Sequence, residues 1–389
     1  MITRLPGVDV LRGLAAMLVV LLHIHIRFRI NGYTVEPFLP EALGTVLFNT
    51  GHYAVVCFFV ISGFLITRLS VHRWGSPDQI APVAFYGLRA ARILPCLLLV
   101  LAVSTLLHLL DVWPFVIRPD RGTLGGALFA ALGFHVNWYE GRHGYLPGNW
   151  DVMWSLSVEE TFYLLFPLAC LALRRPVALF VAMLPLLVIA PFNRVWLAGI
   201  DPWDDYSYLS CMDGIAMGCF AGWLSERRPL GRSHARLAMA AGVAAVLLVI
   251  VFRKTTSALG LAATGTNVTV LELGMALVLL AMGSGVGNDL FARRTSLLRA
   301  VGRCSYEIYL THMFVIFGTF HVFRALFGGV APQAVYPVSY ALMLVLSVLL
   351  GYLVSRWFSE PANRALRAWF GARMAANVDI DIGKRMQHY

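Results

Sequence analysis

Charge is what this sequence is shortest of. Only 13% of its 389 residues are charged, against about 25% in an ordinary soluble domain. Lysine is nearly absent, with Lys254 and Lys384 the only two. There is no phosphate-binding loop, no Gly-x-Ser-x-Gly elbow, no His-Glu-x-x-His pair and no dinucleotide fingerprint. Those absences leave catalysis, if any, to membrane-embedded His, Glu, Arg and hydroxyl groups. The six cysteines (Cys57, Cys96, Cys170, Cys211, Cys219, Cys304) form no Cys-x-x-Cys pair and lie in or beside apolar runs. Neither a metal centre nor a disulfide framework is expected from them. No internal repeat or low-complexity segment stands out.

What is present is hydrocarbon. Hydrophobic residues make up 59% of the chain, and mean hydropathy is +0.71. One globular core cannot hide that much apolar surface, so lipid is the expected solvent. A soluble enzyme, a disordered protein, a coiled coil and a secreted disulfide scaffold are thereby excluded. Lys plus Arg is 31 against 21 for Asp plus Glu, a net charge of +10. The arginines punctuate the ends of apolar runs instead of forming one block. That pattern points to membrane orientation and away from nucleic acid.

Apolar runs fall at about 8–27, 44–68, 93–111, 123–139, 152–173, 176–192, 206–225, 236–252, 266–286, 299–323 and 334–358. The first is long enough to span and lacks a small-residue cleavage site, so it reads as a retained helix. The run 123–139 is short and Gly-rich and carries His135, Asn137 and Trp138, so it reads as re-entrant or interfacial. The expected fold is an all-α, polytopic membrane helix bundle of about ten transmembrane helices plus that segment. With both termini cytoplasmic, most of the 31 basic residues fall on the cytoplasmic side. Residues 1–370 form the membrane domain, and 371–389 a short cytoplasmic tail. Trp113, Trp138, Trp150, Trp196 and Trp203 fall in or beside exterior loops, as interfacial anchors or, for a few, as sugar-stacking surfaces.

Ionisable residues inside a membrane are expensive and mark functional candidates. Arg12 and His23 are eleven residues apart on the first helix, hence on one face and ~16 Å apart along the axis. Arg12 also fits a snorkelling helix-end arginine, and His23 an interhelical hydrogen bond. As a functional group, His23 is suited to be a general base, because imidazole titrates near neutrality. His25 points about 200° away from it. In Trp154-Ser-Leu-Ser-Val-Glu-Glu-Thr-Phe-Tyr163, the side chains of Ser155, Glu159 and Tyr163 share a face. Glu159 and Glu160 exceed what a helix dipole needs. Arg89 and Arg92 lie one turn apart, as orientation charges or as a fork for phosphate. Tyr309 and His312 share a face of the tenth run, and Glu360-Pro361 ends the last one.

Six blocks, in order, resemble acyltransferase family 3, the bacterial integral-membrane O-acyltransferases that include polysaccharide and macrolide O-acetyltransferases. They are Gly7–His23 with its basic-x10-His spacing, Phe58–Ile66, Arg89–Pro95, Trp154–Tyr163, Ser305–His312 and Ser359-Glu360-Pro361. The resemblance implies an acyl-CoA co-substrate, usually acetyl-CoA, with no permanently bound cofactor and no metal. It implies a hydroxyl acceptor on a glycan or glycosylated small molecule, and residence in the bacterial cytoplasmic (inner) membrane. It implies His23 as the catalytic residue, with Arg12, Arg89 and Arg92 holding the donor. Glu159, or else Glu360, is the carboxylate to orient the imidazole or the acceptor. Trp154, Ser155, Glu160, Tyr163, Tyr309, His312 and Glu360 stand as substrate-binding candidates. Departures are the lack of a basic residue just before Asp213, and Glu307 where relatives often have an uncharged residue. With no nucleophile set beside a base, single-step transfer is the expected mechanism. The alternative is a multi-spanning transporter or flippase of sugar-lipids, with intramembrane charges lining its path.

Overall fold

The computed structural model describes residues 4–33, 39–328 and 332–370, so the expected tail 371–389 lies outside the described residues. Ten long helices dominate: α1 Pro6–Ile30, α2 Gly51–Trp74, α3 Pro82–Leu109, α4 Trp154–Leu173, α5 Pro176–Trp196, α6 Tyr208–Arg227, α7 Arg232–Ile250, α8 Thr266–Gly283, α9 Ser305–Phe327 and α10 Val335–Val354. Among the described residues, nine helices are long and apolar enough to cross a membrane, all of these except α6. The architecture is the all-α polytopic bundle that the apolar runs predict.

Local chemistry sets the boundaries. Pro6, Pro82 and Pro176 open α1, α3 and α5, where a missing N–H costs nothing because the first turn has no partner for it. Gly75 closes α2 in a left-handed conformation, φ 77°.

The exception, α6, is explained by its neighbours. Gly214, Gly218 and Gly222 recur every fourth residue, and most of the helix is buried by protein. It packs backbone to backbone on α2, where a Cβ at Gly63 would collide with the Ile215 carbonyl and one at Gly218 with that of Val60. Small residues permit such an approach, and a helix shielded from lipid need not be strongly apolar.

The run 123–139 does not cross. It breaks into two short helices, Leu124–Leu132 and Val136–His143, around Gly133 and Phe134. Val136 N–H donates to Ser157 Oγ of α4 at 3.0 Å, and Asn137 donates to the Tyr206 carbonyl at 3.0 Å. The segment is thus tied to the start of α4. Trp150 corrects one expectation: it is fully buried in the core beside Met153 and Leu97 rather than anchored at an interface. Trp196, by contrast, is 79% exposed. All six cysteines are buried and free.

Candidate active site

Two cavities enter the bundle from opposite ends. The larger, about 900 Å³, lies where α1 begins, α2 ends and α3 begins, and is lined by Arg4, Arg12, Arg68, Arg73, Arg89, Arg92 and Arg367. The smaller, about 660 Å³, lies where α1 ends and α2 begins, and is lined by His23, Arg27, His52, Trp113, Asp151, Trp154 and Tyr206 among others. Val55 and Tyr309 line both, so the two volumes stand back to back on one wall.

In the first cavity most guanidinium charge is already balanced. Arg89 hydrogen-bonds Glu160, lies 3.8 Å from Glu159 and sits over the Tyr163 ring at 3.6 Å. Arg92 donates to Glu307 at 2.7 Å, with Glu360 at 3.9 Å. Arg68 pairs with Glu226, and Arg4 with Asp9 at 3.1 Å. Such pairing is what a low-dielectric interior demands of buried charge. Arg12 differs. Among the described residues it forms no hydrogen bond or ion pair, yet it lines the cavity. A guanidinium without a partner on an open, basic cavity is free to receive an anion.

In the second cavity the central feature is His23, backed by the fully buried imidazole of His312. His312 Nδ1 lies 2.7 Å from the Tyr309 carbonyl and 3.2 Å from that of Ile308. Carbonyls only accept, so this nitrogen carries the proton and His312 Nε2 holds a lone pair. His23 Nδ1 lies 3.1 Å from that Nε2 and 2.9 Å from the Val19 carbonyl. Both partners accept, so His23 Nδ1 is protonated as well. The free lone pair of His23 is therefore on Nε2.

Aromatic groups and acids surround it. Trp154 stacks on Tyr206 with centroids 4.2 Å apart and planes 9° apart, and His52 stacks on Trp154. Tyr206 donates to Asp151 at 2.7 Å. Behind them Glu140 is fully buried, and burial together with the neighbouring Asp151 pushes its carboxyl well above the usual carboxylate range. At the shared wall the Tyr309 and Ser155 hydroxyls meet at 2.7 Å.

A protein-family model described as an acyltransferase domain matches residues 5–356. The chain belongs to that acyltransferase family. Over 175 residues it is 29% identical to the O-acetyltransferase OatA of Staphylococcus aureus strain NCTC 8325 / PS 47, a match covering 42% of this chain and 24% of that protein. The same protein of strain COL matches equally. The chain thus spans about a quarter of the length of these relatives. No solved structure matches it at a significant level.

The sequence blocks that resemble the acyltransferase family fall on the two cavities. Arg12, Arg89, Arg92, Ser155, Glu159, Tyr163 and Tyr309 line the first, and His23, Trp154 and Tyr309 the second. Glu160 and Glu360 reach the first cavity through their arginine partners. Glu159 is not brought to His23; it accepts hydrogen bonds from Ser62 and, at 2.9 Å, from Tyr163. The partner of His23 is instead His312, expected only as a substrate contact. His25 faces elsewhere, 3.1 Å from Tyr340 Oη and stacked on Phe48. Asp213 has a basic partner after all, supplied by Arg194 of α5 at 2.6 Å. Residues that sequence reasoning missed include Ser62, Arg27, Tyr206 and Asp151. Ser62 lay inside a flagged block; the others carry no local signal.

Proposed function

We propose that the protein is a membrane O-acyltransferase that moves an acyl group, acetyl by preference, from acyl-CoA to a hydroxyl of a glycan or glycosylated acceptor. The observation that carries this reading is the free Nε2 of His23, standing in one cavity that shares a wall with a second, arginine-lined cavity. The O-acetyltransferase names of the relatives support both the acetyl group and the oxygen acceptor.

The arginine-rich helix ends around the first cavity support a cytoplasmic opening, the side on which acyl-CoA is made. The CoA phosphates meet Arg12, with Arg89 and Arg92 shaping the basic wall. The thioester then threads past Val55 and Tyr309, which line both cavities, into reach of the acceptor hydroxyl. The acceptor enters the second cavity from the opposite face, and its sugar rings pack on Trp154. His23 Nε2 takes the proton of the acceptor hydroxyl as its oxygen attacks the thioester carbon. The C–S bond breaks, and the CoA thiolate takes the proton back from the imidazolium. His312 Nε2 accepts the His23 Nδ1–H throughout, which fixes the tautomer and steadies the cation, as a carboxylate does in a Ser-His-Asp triad.

The test is transfer of labelled acetyl from acetyl-CoA by purified protein to a glycan panel in detergent, where no membrane barrier exists. Wild type and His25→Ala transfer the label and His23→Ala does not. Equal labelling by His23→Ala overturns the assignment.

A further inference from the structure

Arg27 lies one helical turn beyond His23 on α1, on the same face and ~6 Å further along the axis. It lines the second cavity. Its guanidinium sits over two rings, Phe317 at 4.7 Å and Phe320 at 5.0 Å. Its Nε is buried with no hydrogen-bond partner. Among the described residues no carboxylate pairs with it, and its charged neighbour is another guanidinium, Arg324.

Other arginines near the two cavities are balanced differently. Arg68, Arg89 and Arg92 each have a carboxylate, and at the second cavity Arg118 and Arg121 share Asp120 at 3.0 and 3.6 Å. The carboxylates lining the second cavity are engaged elsewhere: Asp151 accepts from Tyr206, and Asp205 lies 3.5 Å from His52. Stacking on phenylalanine holds the guanidinium plane and leaves its N–H edge for a bidentate oxyanion. Two phenylalanine rings and the C-terminal turn of α1 favour a cation at Arg27 but carry no counter-charge, so an anion from outside the chain can supply it.

We infer that Arg27 binds an oxyanion, a carboxylate or a phosphate, one helical turn from the hydroxyl that His23 activates. The preferred acceptor is then an acidic glycoside, a uronic acid or a sugar phosphate. The same chemistry is offered by a phospholipid headgroup at the cavity mouth. This inference rests on the reading of His23 as the base.

The experiment pairs a glucuronic-acid oligosaccharide with its carboxyl-reduced form. Acetyl transfer gives kcat/KM for each, and quenching of cavity tryptophan fluorescence gives binding, in wild type, Arg27→Gln, Arg27→Lys and His23→Ala. Wild type favours the acidic form at least tenfold; Arg27→Gln collapses that ratio towards one, and Arg27→Lys keeps part of it. His23→Ala retains the binding preference without turnover, so the two readings fail separately: turnover by His23→Ala sinks the general base and leaves the Arg27 contrast standing. A second arm compares phosphatidylcholine and phosphatidylglycerol vesicles. A requirement for anionic lipid that Arg27→Gln abolishes supports the oxyanion site and assigns it to the headgroup. No charge preference in either arm, or one that survives Arg27→Gln, overturns the inference.

Discussion

The two cavities treat charge in opposite ways. In the first, arginines crowd together, and Arg68, Arg89 and Arg92 are each matched by a carboxylate, whereas among the described residues Arg12 and the exposed Arg73 are not. In the second, His23, backed by the buried His312, stands near a stacked Trp154–Tyr206 pair, with Arg27 left without a carboxylate among the described residues. A third cluster supplies the reference case. Arg194 is held by Asp213 at 2.6 Å and Glu272 at 3.2 Å, both carboxylates fully buried, and lines neither cavity. Balanced charge away from a cavity can pin helices together, whereas unbalanced charge on a cavity is open to a ligand. Burial alone does not separate the two; partnership does.

The largest expected effect falls on the second cavity. His23→Ala lowers kcat for acetyl transfer by about 10²–10⁴-fold, the usual contribution of a general base, while the KM for acetyl-CoA stays near wild type. Initial rates over a donor titration check this. Near-equal losses in both parameters would erase the division of labour between the cavities.

Next is the contrast inside the first cavity. Arg92→Gln strands the fully buried Glu307, and breaking such a pair destabilises by about 3–5 kcal/mol. The readout is detergent-solubilised thermal unfolding, with Arg92→Leu/Glu307→Leu recovering much of the loss. Arg12→Gln strands nothing. It keeps the wild-type unfolding temperature and raises the KM for acyl-CoA about tenfold, equivalent to ~1.4 kcal/mol. The reverse pattern would make Arg12 the structural residue.

His312 gives a smaller, graded effect. His312→Leu removes the acceptor for His23 Nδ1–H and lowers kcat about tenfold to a hundredfold, the scale of a lost orienting contact. His312→Gln places a carbonyl oxygen near the former Nε2 and restores part of the rate. Equal rates for the Leu and Gln variants would reduce His312 to packing.

Much of the fold was legible because hydropathy and helix period are local. Ten long helices follow from the apolar runs, nine of them among the described residues long and apolar enough to cross a membrane, with α6 the exception. The shared face of Arg12 and His23 follows from eleven residues of helix. The Glu159–Tyr163 bond follows from i, i+4 spacing, but the same logic joined Ser155 to Glu159, and Ser155 instead meets Tyr309. The contact between His23 and His312 joins residues 289 apart. It depends on how α1 and α9 cross, which no local pattern encodes. The pairing of Glu160 with Arg89 across α3 and α4 is hidden for the same reason, so Glu159 stood in sequence as the partner of His23.

The smallest effect probes the wall itself. Tyr309→Phe removes one hydroxyl bond to Ser155 at 2.7 Å, worth about 1 kcal/mol net, and leaves the ring in place between the cavities. Transfer changes only a few-fold. Tyr309→Ala removes the ring and widens the passage between the two volumes, so water reaches the thioester. Its signature is acetyl-CoA hydrolysis without acceptor, rising several-fold while transfer falls, measured as free thiol released against label on glycan. The ratio of hydrolysis to transfer is the quantity that matters. A wall that only fills space leaves it unchanged in both variants, whereas a wall that keeps water from the donor leaves it unchanged in Tyr309→Phe alone.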